Sequence, residues 1–192
     1  MDLNHEFTVN VPVADAWIIL TDLARIAPCL PGAELTDVLG DIYSGHVKVK
    51  VGPIVAQFKG QASFLSRDDM AHTATLKAEG RDATGKGNAA ALITAQLTSL
   101  SPTSTKCAVH TDLTISGKVA QFGRGALADV SDKLLAQFSD NLNQLITSGT
   151  TVPVSEVAPI NLLQAAGAPI LKRLIPAVVA ITVLVVVLSV IF

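Results

Sequence analysis

The sequence has few cysteines and no run of positive charge, so it offers little support for a redox motif or a nucleic-acid interface. Its two cysteines, Cys29 and Cys107, do not form a C-x-x-C motif. They could pair with each other, but small buried apolar side chains in a reducing, cytoplasmic-type compartment are the favoured interpretation. Lysine and arginine total 14 against 16 acidic residues, with no basic stripe. Nucleic-acid binding therefore has no electrostatic basis.

Motifs for catalysis and metal binding are also absent from the sequence. The four histidines lie on separate predicted elements without H-x-x-H spacing, so no metal site is predicted. Ser116 and Gly117 lack the G-x-S-x-G context of a hydrolase nucleophile. Asp129 and Asp132 fall on one solvated helix face, where two carboxylates need no catalytic explanation. We expect no catalytic residue and no covalently bound cofactor.

The most distinctive stretch is an apolar run without any charge at residues 174–192. As a helix, at a rise of about 1.5 Å per residue, it would span about 28 Å, close to the hydrocarbon thickness of a bilayer. Lys172 and Arg173 directly precede it, and positively charged flanks favour the cytoplasmic side. The run predicts a single-pass anchor in the cell membrane, with the rest of the chain on the cytoplasmic side. A buried core helix or strand is the alternative.

Between the folded part and this run, residues 148–173 are polar at first and then mildly apolar. Pro159, Gly167 and Pro169 interrupt the apolar part. A flexible linker and an interfacial segment lying on the membrane are both consistent with this pattern.

Residues 1–147 show the alternation of an antiparallel sheet, followed by one amphipathic helix. Six period-two runs between residues 33 and 115 are separated by short turns, which favours a meander of hairpins. A strand at residues 3–11 and two short helices at 14–20 and 22–26 precede them. The helix, about residues 124–147, has apolar side chains at three- and four-residue spacing. We predict an α+β helix-grip fold, a curved antiparallel sheet around a long C-terminal helix.

The predicted inner face of this sheet is rich in small residues such as Ala62, Ala78 and Ala91. Because protein interiors pack at a density of about 0.74, such a wall implies either a closely seated helix or a hollow. Both remain open, and an apolar hollow is where hydrophobic ligands bind. Strand alternation and helical spacing assign the cavity lining to Val47, Val49, Phe58, Ala62, Phe64, Ala78, Ile93, Val109, Leu113, Phe122, Leu127 and Leu134. They assign the cavity mouth to Leu30, Pro31, Gly123 and Arg124.

Several separated segments resemble known families. VPVADAWIIL, at residues 11–20, is similar to the opening of START/SRPBCC domains. APCLPGAE at 27–34, GHVKVKVGP at 45–53, FKG at 58–60 and QFGRG at 121–125 resemble the CoxG family of carbon monoxide dehydrogenase subunits, in matching order. The resemblance covers residues 1–147 and implies a helix-grip fold with a cavity. These motifs would mark binding or structural positions, since the family's motifs are not catalytic.

The resemblance also implies partners. Members are encoded beside molybdenum–flavin–iron-sulfur hydroxylases, and many carry a hydrophobic tail thought to recruit that enzyme to the cytoplasmic membrane. Together with the predicted hollow, this suggests a non-enzymatic accessory protein of a carbon monoxide dehydrogenase-type molybdenum enzyme. Its ligand would be a hydrophobic lipid such as a quinone, with menaquinone as the example.

Two alternatives remain. The chain could be a pure membrane tether that binds no ligand. It could also be a START-like lipid- or polyketide-binding protein or cyclase, which would need polar groups converging inside the sheet. Tyr43, Thr111 and Asp112 are the candidates for such groups.

Overall fold

The structure, a computed structural model, describes residues 1–85 and 87–148. Its strands form one antiparallel sheet in the order β1-β7-β6-β5-β4-β3-β2. The strands are β1 Asp2–Val9, β2 Ala33–Leu39, β3 Ile42–Val51, β4 Ile54–Asp68, β5 Thr73–Asp82, β6 Asn88–Ser101 and β7 Ser104–Ile115. Strands β2 to β7 follow one another as a meander, as the short turns predicted. Strand β1 completes the sheet by pairing with β7.

Two short helices lie between β1 and β2, in agreement with the sequence pattern. Helix α1 covers Val13–Leu20, and α2 covers Leu23–Ile26 and continues into a 3₁₀ turn at Ala27–Cys29. Asp22 caps α2, because its Oδ1 accepts a 3.1 Å hydrogen bond from the Arg25 backbone N–H. Residues 23–30, from α2 through the 3₁₀ turn to Leu30, are called the cover segment below.

The long helix α3 spans Gly123–Ser148 and follows a second 3₁₀ turn at Val119–Phe122. Leu127, Phe138, Leu142 and Leu145 form its buried stripe, at the spacing that the sequence pattern indicated. Phe138 meets Phe7 of β1 edge to face, with ring centroids 5.7 Å apart. One long helix against a curved antiparallel sheet is the predicted α+β helix-grip architecture.

The apolar interior is divided into two clusters. The larger surrounds Leu142 and includes Val9 of β1, Trp17 of α1 and Leu97 of β6. The smaller contains Val51, Ala56, Val119 and Leu127. The backbone of α3 comes closest to β1, to β3 and to the two 3₁₀ turns. Among the described elements, α3 makes no comparable approach to β4, β5 or β6, and α1 lies against β6 and β7, so β4 and β5 are left without a helix lying directly on them.

The expected linker or interfacial segment at 148–173 lies outside the described residues, except for Ser148, which ends α3. The expected anchor at 174–192 also lies outside them. Within the part that the structure describes, no helix is both long enough and apolar enough to cross a membrane.

Candidate ligand-binding cavity

A solvent-open cavity of about 390 Å³ lies on the inner face of the sheet. This volume falls within the range of about 300–1,000 Å³ that is usual for ligand pockets. Strands β2 to β6, the cover segment and Phe138 of α3 form its walls. Most of the lining side chains are aliphatic, aromatic or absent, as at glycine. The cavity therefore offers an apolar environment with few competing hydrogen-bonding groups.

Two cross-strand rows of small residues form the floor of the cavity. In the first row Tyr43 pairs with Ala62, Ala62 with Ala78, and Ala78 with Ala91. The second row, called the glycine row below, contains Gly45, Gly60 and Gly80 on β3, β4 and β5 and continues to Ala89 on β6. Because neither row projects a large side chain beyond Tyr43, the volume above the floor stays unfilled.

Gly60 is required by close approach of the neighbouring backbone. A Cβ atom at this position would lie 2.6 Å from the Cα of Gly80, and closer still to the carbonyl oxygen of Glu79. Gly80 is less restricted, since a Cβ there would meet the Cβ of Phe58 at 3.4 Å. The glycine row thus exposes backbone to the cavity, and at Gly60 no larger residue fits without movement of the sheet.

The cover segment forms another wall of the cavity. Leu23, Ile26, Ala27 and Leu30 contribute its lining residues. Asn141 of α3 holds this segment in place, because its Nδ2 donates a 3.0 Å hydrogen bond to the carbonyl oxygen of Cys29. The cavity lies between the two apolar clusters: Phe138 belongs to the larger one, and Phe58 packs against the smaller one.

Polar side chains contribute little to the inner surface. Glu34 and His46 also border the cavity, but they pair with each other, with Glu34 Oε2 3.2 Å from His46 Nε2. Gln61 and Glu79 occupy strand positions that alternate with the inner-face residues Ala62 and Ala78. Among the lining residues that the structure describes, Tyr43 is the only one with a hydroxyl group.

The structure places five of the predicted site residues in the lining: Leu30, Val47, Phe58, Ala62 and Ala78. The others lie elsewhere, and their positions differ from the sequence-based assignment. Val49, Phe122 and Leu127 belong to the smaller apolar cluster, and Phe64 and Val109 pack against the larger one. Ile93, Leu113 and Leu134 are half-buried outside the lining, and so is Pro31 beside Leu30. Gly123 and Arg124, assigned to the mouth, are exposed at the start of α3.

These differences have one physical cause. Alternation along a strand identifies the inner face, but it does not show where along that face the helix packs. Inner residues that pack against one of the two apolar clusters become core, whereas those between the clusters border the cavity. Both kinds occur on one strand, as Phe64 and Ala62 of β4 show. The assignment missed the glycine row and the apolar residues Leu23, Ile26 and Leu35. In the sequence, the glycine row could have been found from the glycines at matching positions of consecutive strands. Leu23 and Ile26 could have been found from the three-residue spacing of apolar residues in α2.

Neither cysteine provides a nucleophile for this site. Burial raises the pKa of the Cys107 thiol to about 12 and also raises the pKa of Cys29. Both thiols therefore stay protonated at neutral pH, and both are free cysteines. No group of three or more histidine, cysteine or acidic residues within residues 1–85 and 87–148 could hold a metal ion.

These features define a class: a helix-grip protein with an apolar cavity between sheet, helix and cover segment. The model of the CoxG family, described as a subunit of carbon monoxide dehydrogenase, matches residues 6–147. The chain belongs to that family, which confirms the resemblance found in its motifs. No curated protein matches the sequence.

Solved structures share the fold at low sequence identity. A conserved protein from Geobacillus kaustophilus has a TM-score of 0.69 at 19% identity, covering 78% of this chain and 97% of its own. The Zhui aromatase/cyclase from Streptomyces sp. R1128 has a TM-score of 0.54 at 14% identity, covering 79% and 99%. A truncated norcoclaurine synthase from Thalictrum flavum has a TM-score of 0.54 at 17% identity, covering 76% and 92%. At these identities the likeness concerns the fold.

Proposed function

We propose that this chain is a non-enzymatic accessory protein that binds a hydrophobic quinone, such as menaquinone, for a carbon monoxide dehydrogenase-type molybdenum enzyme at the cell membrane. The observation that carries the proposal is the open, apolar cavity of about 390 Å³ on the inner face of the sheet. Family membership supports the choice of partner enzyme.

The cavity suits an elongated apolar molecule. Its lining extends from Phe58 on β4 to Leu76, which pairs with Phe64. Phe64 follows Phe58 by six positions, which corresponds to about 20 Å at about 3.3 Å per strand residue. An aromatic head group and the first part of a prenyl tail would fit along this axis. Each Å² of tail removed from water contributes about 25 cal/mol, so even partial enclosure favours binding.

A membrane quinone would serve the enzyme as an electron acceptor, but its long apolar tail makes it nearly insoluble in water. A soluble dehydrogenase would have to reach the bilayer, or the quinone would have to be presented outside it. The apolar run predicted as an anchor at residues 174–192 would keep the cavity close to the bilayer that stores the quinone. The accessory protein would thus combine recruitment of the enzyme with delivery of its acceptor.

A cavity-filling variant tests this proposal. Ala62→Trp introduces a large side chain into the floor of the cavity, whereas Leu65→Trp introduces the same side chain at an exposed position of the same strand, where Leu65 is 58% exposed. Full-length protein would be extracted with organic solvent, and bound menaquinone measured by mass spectrometry after loading. We expect the wild type and Leu65→Trp to retain quinone and Ala62→Trp to lose most of it.

The same variants separate a quinone carrier from a pure tether. With vesicles that contain menaquinone and the partner dehydrogenase, Ala62→Trp should still recruit the enzyme but should slow quinone reduction at least tenfold. If Ala62→Trp supports both recruitment and quinone reduction as well as Leu65→Trp does, the chain acts as a tether. Absence of bound quinone in the wild type would refute the carrier function directly.

A further inference from the structure

We propose that the Tyr43 hydroxyl is the specificity determinant of the cavity, donating a hydrogen bond to an acceptor oxygen on an otherwise apolar ligand. This inference rests on the proposed function, because it assumes that the cavity binds a hydrophobic molecule. Beyond that function, it identifies the protein atom that selects the ligand and the chemical group that the ligand must carry.

The first argument is the position of Tyr43 in the sheet. Its cross-strand neighbours are Val38 on β2, which is itself exposed, and Ala62 on β4, which is followed in the same row by Ala78 and Ala91. The next inner position along β3 is Gly45, which has no side chain. On the side of the cavity, Tyr43 therefore borders small residues both across the sheet and along its own strand, and it borders the cavity itself. Neither the alanines nor Gly45 can cover the phenol ring on this side.

The second argument is the state of the hydroxyl group. Within the part of the chain that the structure describes, it has no hydrogen-bond partner. The hydroxyl is not buried away from solvent either, because no buried side-chain nitrogen or oxygen among the described residues lacks a hydrogen-bond partner. The hydroxyl is thus accessible and free to bond an incoming group. A tyrosine in an apolar wall commonly uses its hydroxyl in this way, with the ring supplying contact area.

The third argument is the absence of competing groups on the same face. The other polar residues at the cavity are Glu34, His46, Gln61 and Glu79. Glu34 and His46 already contact each other, with 3.2 Å between Glu34 Oε2 and His46 Nε2. Gln61 and Glu79 pair with each other across β4 and β5 in a row that alternates with the inner-face pair Ala62 and Ala78. Among the described lining residues, Tyr43 is consequently the one inner-face side chain that can direct the orientation of a polar atom.

These observations define the ligand class: a planar or elongated apolar molecule with at least one carbonyl or other acceptor oxygen. A 1,4-quinone meets this description, whereas a pure hydrocarbon of the same shape does not. The oxygen would be bound on the β3 side of the cavity, and the apolar remainder would extend over the alanines of the floor. A site built to bond an oxygen discriminates against analogues that lack it, because the donor then stays unpaired.

Two probes of nearly identical shape test the inference. Menadione has a methylnaphthoquinone ring with two carbonyl oxygens, and 2-methylnaphthalene has the same fused rings without oxygen. Binding of both to the full-length protein would be measured by isothermal titration in one detergent at one concentration. We expect Tyr43→Phe to weaken menadione binding about tenfold, as for loss of one neutral hydrogen bond, and to change 2-methylnaphthalene binding less than about twofold.

The matched control is Thr111→Val. It also removes a hydroxyl from the inner face, since Thr111 pairs with Ile93, but Thr111 lies outside the cavity lining. Its affinities should equal those of the wild type. Unchanged menadione binding in Tyr43→Phe, or an equal loss for both probes, would overturn the role of the hydroxyl while leaving the cavity function intact. Failure of the wild type to bind either probe would overturn the proposed function and this inference with it.

Discussion

At the scale of single residues, the glycine row determines how closely β4 and β5 approach each other. A methyl group at Gly60 would overlap the backbone of β5, whereas one at Gly80 would make an ordinary contact with Phe58. We expect Gly60→Ala to destabilise the fold by about 2–4 kcal/mol, in the range of other overpacked or strained sites. Chemical denaturation of the purified variants, followed by circular dichroism, would measure this loss.

Two alanine substitutions provide the comparison for Gly60→Ala. Gly80→Ala lies in the same row and should change the stability by less than about 1 kcal/mol, because its contact is 3.4 Å. Gly125→Ala lies in α3 with nothing within 4 Å of the added Cβ. It should be neutral or stabilising by up to about 1 kcal/mol, because alanine favours helix over glycine. Equal effects at Gly60 and Gly80 would show that β5 moves away from β4 without cost.

At the scale of elements, α3 and the cover segment both line the cavity and are joined by a hydrogen bond. Asn141 bonds the Cys29 carbonyl in the cover segment, whereas Asn143 bonds the Thr8 carbonyl at the end of β1. Either bond contributes about 1 kcal/mol to stability. We expect Asn141→Ala to release a bound quinone several-fold faster, because the cover segment loses its attachment to α3. Dissociation of menadione, measured by stopped-flow competition, would show this increase.

Asn143→Ala serves as the matched helix variant. Asn143 makes a further hydrogen bond, since its Oδ1 accepts from the Asn10 backbone N–H at 3.0 Å. This variant should therefore lose at least as much stability as Asn141→Ala but should keep the wild-type dissociation rate. If both variants release the ligand equally fast, general loosening of α3 rather than the cover segment controls release.

The elements themselves could be predicted from the sequence, but their contacts in space could only partly be inferred. Alternation along Tyr43, Val47 and Val49 identified the inner face of β3, and the Leu127-to-Leu145 spacing identified the buried stripe of α3. What the pattern does not show is which part of each strand the helices pack against. Phe64 and Val109 are therefore core residues, whereas Ala62 and Ala78, with the same alternation, border the cavity.

At the scale of the whole molecule, membrane attachment is predicted to depend on residues 174–192. Placing arginines at Val183 and Val186 puts two charges near the middle of the run, each costing about 2.5–3.5 kcal/mol at the centre of a spanning helix. We expect Val183→Arg with Val186→Arg to abolish flotation of the full-length chain with phosphatidylcholine vesicles. Zwitterionic lipid is chosen so that the added charges gain no electrostatic attraction.

The control adds the same two charges outside the apolar run. Thr151→Arg with Ser155→Arg lies in the polar stretch before it and should leave flotation unchanged. If the variant with charges inside the run still floats, the attachment is made by another part of the chain. If the control also loses flotation, the stretch after Ser148 contributes to attachment as more than a linker.

The division of the interior into two clusters has a thermodynamic consequence. A ligand lying between them would supply packing that the protein alone lacks, and binding to the folded state alone would raise stability by RT ln(1 + [L]/Kd). Transfer of the ligand to a bilayer would therefore remove part of the folded protein's own stabilisation. The thermal midpoint of unfolding would then report the fraction of the protein that carries ligand. Delivery would proceed when the bilayer or the enzyme binds the ligand with a more favourable free energy than the cavity between the two clusters does.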